Sequence, residues 1–415
     1  MSLNQGQQAV LDSAMKFVTS KSEQFMVIKG KPGTGKSYLT KAIVEGIEKY
    51  MTIVNSVMSN PSDTEIHLTA TTNKAAAVLA EFIGTSTTTI HSLIGLTLRV
   101  DYKTGEEKLT RKNNSDVIKN AIIVIDEAFS MNDQLLDYIN KCTVNCKIIF
   151  IGDPYQTAPV KCKRSPVDLL VCRTEELIQP MRSQGVLDLF SDHWRNSVIT
   201  ETFSPFLLQD SSIECVNGKD FSTLIDEAFK DPHCLAGKNK ILTWTNARAD
   251  SYCSHVRTLW GLPIEYTAGE YVQVINGLTK QELYVDQIIK IKSFSDLITK
   301  LHGIEGRFAT IENKIHQLFI PISTTDVLKR LKETAAIKDW PAHYDIKENI
   351  PLLRPIHGST IHKAQGSTYE TVFVDLPDVG SCNIASDVAR MMTVAVSRPT
   401  TRLILRGKLP EKYGG

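Results

Sequence analysis

Residues 25–37 read FMVIKGKPGTGKS. A short apolar run passes directly into three glycines within six positions, then into Lys36 and Ser37. The spacing is G-x4-G-K-S, and it sits where such a loop works: after a predicted strand and at the start of a predicted helix over about 35–50. Glycines let successive backbone N–H groups turn inward around a phosphate, and the helix N-terminus adds partial positive charge. Gly30, Pro32, Gly33, Thr34 and Gly35 are therefore the expected cradle for a nucleotide. Lys36 is expected at the β- and γ-phosphates, and Ser37 as a ligand of Mg²⁺, so ATP and Mg²⁺ are the predicted cofactors.

Outward from this loop the chain alternates strand and helix. IHLTA (66–70), AIIVI (121–125) and KIIFI (147–151) are short β-branched runs separated by helical segments. That rhythm predicts an α/β domain with a parallel sheet buried on both faces. Asp126-Glu127 ends one of these strands. Asp126 is expected to hold Mg²⁺ and Glu127 to polarise the attacking water. Gln156, in GDPYQ after the next strand, has an amide suited to sensing a γ-phosphate. The segment 97–113 breaks the rhythm with two alternating arms around a glycine, which predicts an inserted β-hairpin.

Two short patterns occur twice. Thr72-Asn73 and Thr245-Asn246 each follow an apolar run and precede a helical one, and Thr89-Ile90-His91 matches Thr360-Ile361-His362. Thr72 and Thr89 are 17 positions apart, whereas Thr245 and Thr360 are 115 apart. If both halves share one plan, the second carries an insertion of about 98 residues. The stretch 262–352 fits it, with short alternating strands, a helix around 324–336, and a polar stretch before Pro351.

The chain has 415 residues, 42% hydrophobic and 22% charged, with a formal net charge of +1. It is not a basic blanket for nucleic acid, so any such site is local. No apolar run has the length of a membrane span and no basic-then-apolar leader opens the chain, which predicts a cytoplasmic protein without a membrane partner. The eight cysteines form no C-x-x-C pair, which argues against a structural zinc or redox site.

The order GKS, DE, GDxxQ, IHKAQGS and VAVSR resembles superfamily 1 helicases, in the group containing the RecD, Pif1 and Dda helicases. The likeness extends over nearly the whole chain. It implies two RecA-like P-loop NTPase domains with a β-hairpin pin in the first and a β-rich, SH3-like insertion in the second. The implied limits are 1–185 for the first domain, 186–261 plus 353–415 for the second, and 262–352 for the insertion. By the same resemblance, Gln7 reads adenine, while Arg182 and Arg398 neutralise charge on the γ-phosphate. Gln365 and Gly366 face the nucleotide. Thr71, Thr72, Asn73, Thr89, His91, Tyr102, Thr245, Asn246, Thr360 and His362 face nucleic acid. Lys363 suits either side.

The implied activity is ATP-driven unwinding by a monomer that tracks single-stranded DNA 5′-to-3′ and opens forked duplex DNA in replication, recombination or repair. A single-strand-binding or replication protein is the implied partner, and a bacterial or phage-infected cell the implied setting. A nucleotide-dependent binding switch or loader, an RNA-tracking helicase and a small-molecule kinase are the alternatives. The sequence departs from the family pattern at Phe129, where a serine is usual and Ser130 follows instead, and at Thr71, Asn73, Thr393 and Ser397. Base-stacking aromatics stay unassigned. Tyr102, Trp244 and Trp340 are the available platforms, and each also suits ordinary packing.

Overall fold

A computed structural model of the chain describes residues 3–57, 64–101, 104, 106–112, 115–156, 164–179, 181, 185–205, 211–231 and 238–414. They form two compact units, the first built on Met1–Arg99 and Leu109–Gly185, the second on Val100–Lys108 and Val186–Gly415.

Up to Gly185 the strands are β1 (Phe25–Gly30), β2 (Ile66–Ala70), β3 (Thr88–Thr89), β4 (Leu96–Val100), β5 (Glu107–Arg111), β6 (Ile118–Lys119), β7 (Ile122–Asp126), β8 (Thr143–Val144), β9 (Lys147–Gly152) and β10 (Arg173–Leu177). Six of them form one sheet in the order β10-β1-β9-β7-β2-β3, and every pairing is parallel. Alternation along the strands divides the core by face. Val27, Ile123, Ile125, Ile148 and Phe150 pack on one side, and Met26, Ile28, Ile122, Val124, Ile149 and Ile151 on the other. Both faces are buried, which is why these strands read as continuous apolar runs. β4 and β5 pair separately as a two-stranded sheet, closed at its base by the Lys112 N–H on the Gly95 carbonyl at 2.9 Å.

In the second unit the strands are β11 (Ile213–Val216), β12 (Asn239–Thr243), β13 (Tyr271–Val274), β14 (Ile288–Phe294), β15 (Thr299–Leu301), β16 (Ile304–Ile311), β17 (Leu318–Pro321), β18 (Leu353–Pro355), β19 (Gly358–Thr360), β20 (Tyr369–Asp375) and β21 (Pro399–Arg406). A second parallel sheet runs β11-β21-β20-β12-β19. Leu242, Val372, Val374, Leu403 and Leu405 bury one face against the helix Ala385–Val396, while Ile241, Phe373 and Ile404 bury the other. β13 to β18 form an antiparallel sheet of their own.

Two sequence expectations shift here. The boundary expected at 352/353 moves, because Leu353–Pro355 pairs with β13 in the antiparallel sheet. The stretch before Pro351, read as merely polar, contains a helix, Trp340–Asn349. Asp339 caps it through the Ala342 N–H, Pro341 stands in its first turn, and Tyr344 and Ile346 are buried. Its apolar residues are too few and too unevenly spaced to show as a period. Among the described residues no helix is long and apolar enough to cross a membrane.

The antiparallel sheet is tightly packed at Gly306, where a Cβ would stand 2.6 Å from the carbonyl oxygen of Ile320. That neighbour is backbone and cannot move aside cheaply. Gly306→Ala should cost about 1–3 kcal/mol, seen as a lower urea midpoint; an unchanged midpoint would contradict this packing.

Candidate functional site

In a parallel sheet every strand delivers its following loop to one edge, and in the first unit that edge collects the predicted chemistry. The phosphate loop follows β1, Asp153 and Gln156 follow β9, Asp126 ends β7 with Glu127 after it, Thr71-Thr72-Asn73 follow β2, and Thr89-Ile90-His91 close β3. The order of strands thus places nucleotide residues on β1, β9 and β7, and the predicted strand-facing residues next to them on β2 and β3.

Gly33 and Gly35 take φ values of 79° and 78°, which a side chain would strain. The helix Lys36–Val57 opens directly from the loop with no acidic residue in its first turn, so its positive end is not neutralised from within. The Lys36 ammonium folds back onto the carbonyls of Gly30 and Lys31 at 2.8 and 3.1 Å. Thr34 is buried and its hydroxyl donates to the Lys31 carbonyl at 2.8 Å. Gln7, expected to present a free amide to adenine, is fully buried. Its Nε2 donates to the Thr34 carbonyl at 3.1 Å and its Oε1 accepts the Asn4 N–H at 3.2 Å. In this arrangement Gln7 braces the loop through Thr34.

Asp126 and Glu127 are half-buried neighbours. Desolvation, reinforced by the Glu127 charge, pushes the Asp126 carboxyl up to about 7, against the pull of Lys36. Two crowded carboxylates within reach of the Lys36 charge suit a divalent cation carried on phosphate oxygens. Among the described residues no cluster of three or more His, Cys, Asp or Glu could hold a metal without that phosphate. Gln156 is buried, its Nε2 donating to Asp153 at 3.1 Å.

The repeated Thr-Asn and Thr-Ile-His patterns are structural equivalents. In the first unit Ala70 pairs with Thr89 across β2 and β3; in the second Thr243 pairs with Thr360 across β12 and β19. Thr72 and Thr245 each cap the helix that follows, accepting the N–H of Ala75 and Arg248. The two loops differ in one respect. Asp378 accepts the Trp244 N–H at 2.7 Å, the Thr245 N–H at 2.9 Å and the Thr245 hydroxyl at 2.7 Å. Thr245 therefore has its donors occupied by an internal carboxylate. Asn246 accepts from Arg354 at 2.9 Å, and Trp244 packs against the core of its unit. Burial lowers the pKa of both His91 and His362, so the imidazoles are neutral at pH 7.

The segment after β19 crosses the second sheet. Thr360 lies at the carboxyl edge, whereas Gln365 and Gly366 lead to the amino end of β20, beside the start of β21. There Arg398, buried, donates to the Ser367 carbonyl at 3.1 Å, and its own carbonyl accepts the Tyr369 N–H at 3.0 Å. Lys363, which sequence left open, stands 3.9 Å from Asp286 of the antiparallel sheet. Arg182 and Tyr102 lie outside the described residues.

Comparison with known proteins bears on this arrangement. The AAA domain family matches residues 14–161, and the UvrD-like helicase C-terminal domain matches residues 355–406. The ATP-dependent DNA helicase dda of Enterobacteria phage T4 is 23% identical, over 95% of this chain and 97% of that one. With the motif order, these matches support a helicase similar to the RecD/Pif1/Dda group of superfamily 1. Solved structures of Pif1 share its fold. That from Bacteroides, in complex with ADP-AlF3 and ssDNA, matches with a TM-score of 0.55 at 13% identity, covering 100% of this chain and 94% of its own. That from Candida albicans gives 0.52 at 18% identity, covering 100% and 96%. The matches support a helicase with ATPase activity, and the two parallel sheets fit the cores of two RecA-like domains.

Sequence reading missed the carboxylate at Asp378 and the guanidinium at Arg354. Neither carries a motif, and each is more than 100 positions from the helicase residue it holds. Ser130 was noticed only as a displaced family serine.

A pH effect follows from Asp126. Between about pH 4 and 7 the folded helicase keeps a proton that the unfolded chain, with its carboxyl near 3.8, has released. This group therefore lowers stability as pH rises through that window, and the deficit persists above it. Without nucleotide or divalent cation, Asp126→Asn should raise the melting temperature at pH 8, the gain shrinking to nothing near pH 4. Equal effects at both pH values would contradict this.

Proposed function

We propose that this chain is a DNA helicase that couples ATP hydrolysis to movement along single-stranded DNA in the 5′-to-3′ direction, opening a forked duplex as a monomer. The observation that carries the reading is the shared edge of the first sheet, where β7 with the hydrolytic carboxylates borders β2 with the Thr71 loop. A relative adds weight, since it bears the name ATP-dependent DNA helicase.

In this reading Gly30 to Gly35 hold the phosphates, Lys36 leaves the loop carbonyls for the β- and γ-oxygens, and Ser37 with Asp126 holds Mg²⁺. Bound Mg²⁺ and ATP supply the polarised γ-phosphate and its leaving group. Glu127 orients the attacking water, Gln156 senses the γ-phosphate, and Arg182 and Arg398 answer its charge. Thr71, Thr72, Asn73, Thr89 and His91 in one domain, and Asn246, Thr360 and His362 in the other, contact the sugar-phosphate backbone, which positions a strand without reading it. Thr245 acts there through its loop's shape. We assign residues 1–185 to the first RecA-like domain with the pin at about 97–113. Residues 186–261 and 356–415 form the second, and 262–355 the SH3-like insertion. Gln365 and Gly366 carry the nucleotide state from the Arg398 side to Thr360. A single-strand-binding or replication protein is the natural partner of such an enzyme.

Forked duplexes carrying only a 5′ or only a 3′ tail test this directly. Unwinding should require the 5′ tail, and Lys36→Ala should reduce it by about 100-fold or more. Unwinding from the 3′ tail alone would overturn the polarity. Removal of residues 97–112 should abolish strand separation and leave strand-stimulated ATPase, whereas a loader would show no strand separation in the intact chain. Gln365→Ala should lose strand-stimulated ATPase more than strand binding.

A further inference from the structure

Glu127 stands at φ 53° and ψ 34°, in the left-handed region, and it is not a glycine. A residue with a Cβ stays there only when its surroundings hold it. Here the holders are visible. The Glu127 N–H donates to Asp126 Oδ1 at 2.9 Å. Its carbonyl accepts from the Thr71 hydroxyl at 3.1 Å, the Ser130 hydroxyl at 3.0 Å and the Ser130 N–H at 3.3 Å. The two hydroxyls also meet each other, Ser130 Oγ donating to Thr71 Oγ1 at 2.8 Å. One hydroxyl proton cannot serve two acceptors fully, so Ser130 divides its proton between Thr71 and the Glu127 carbonyl. Thr71 is further fixed through its N–H, which donates to the Asp126 carbonyl at 3.3 Å.

We propose that Ser130 and Thr71 form a hydroxyl relay through which an engaged strand sets the backbone posture, and so the aim, of Glu127. With no strand, Thr71 donates to the Glu127 carbonyl and Ser130 donates to Thr71. A phosphate oxygen at the Thr71 loop draws the Thr71 proton away. Ser130 then turns its proton wholly onto the carbonyl that Thr71 has left. No proton changes its parent atom, and the left-handed turn keeps a hydroxyl donor in both states. Ser130 is thus a positioning residue, standing one place beyond the family serine position and reaching the carbonyl of Glu127 across the turn Ala128–Ser130. The relay rests on the helicase reading above, because it needs a strand at the Thr71 loop.

The test compares wild type, Ser130→Ala and Ser130→Thr. In each, ATPase is measured with and without a saturating oligothymidine strand, together with the affinity for that strand in the absence of nucleotide. Ser130→Ala should lower the ratio of stimulated to basal rate by about threefold to tenfold, the scale of one hydrogen bond, with strand affinity unchanged. Ser130→Thr should restore the ratio. Hydrogen exchange without nucleotide gives a readout apart from turnover. Strand binding should slow exchange in residues 126–131 of wild type and fail to do so in Ser130→Ala. An unchanged ratio in Ser130→Ala, an equal loss of basal and stimulated rates, or a loss of strand affinity would each overturn the relay. Absence of stimulation in wild type would instead defeat the helicase reading, and the relay with it.

Discussion

β7 runs parallel between β9 and β2, so its carboxyl end delivers Asp126 and Glu127 into the gap between a phosphate loop and a threonine loop. Register, rather than any one bond, sets this neighbourhood. Ala70 is level with Asp126, and the next residue of each strand meets the other across the edge, Thr71 to Glu127. A sheet paired in another order would keep every motif and lose the contact. Burial on both faces makes the register hard to change, because a slip of one residue would turn each apolar side chain to the wrong core.

The second RecA-like domain uses the same rule for a different purpose. Its strand order gives Thr243 and Thr360 the same neighbour relation as Ala70 and Thr89. It has no phosphate loop after β12. The residues proposed to answer the nucleotide lie instead at the amino ends of β20 and β21, where Arg398 and the Gln365–Ser367 turn are joined by a hydrogen bond. One segment of eight residues, Ile361 to Thr368, therefore connects the two edges of a single sheet.

Much of this was legible in the sequence for physical reasons. The phosphate loop requires glycine at fixed places, and buried parallel strands leave dense apolar runs, so both survive as local patterns. The twofold Thr-Asn pattern was readable because Thr72 and Thr245 each follow a strand and cap the helix after it. Thr89 also caps a helix, while Thr360 matches by its place in the sheet and not by a cap. What escaped depended on long-range contact or on weak periodicity. The helix at Trp340 has too little amphipathic contrast to stand out. Nothing local shows that the Gln7 amide closes on Thr34. The strand at Leu353 has the composition of either neighbouring sheet, and only pairing assigns it.

Asp378 gives the two threonine loops different electrostatic characters. Donors already held by a carboxylate of the chain offer an approaching phosphate no uncompensated positive charge. Counterions released from nucleic acid scale with the phosphates that protein cations neutralise. Contact at the Trp244–Asn246 loop therefore adds little to the salt dependence of binding, which falls to the protein's cationic groups. On the helicase reading, that loop guides a strand by its shape, an effect that ionic strength barely touches.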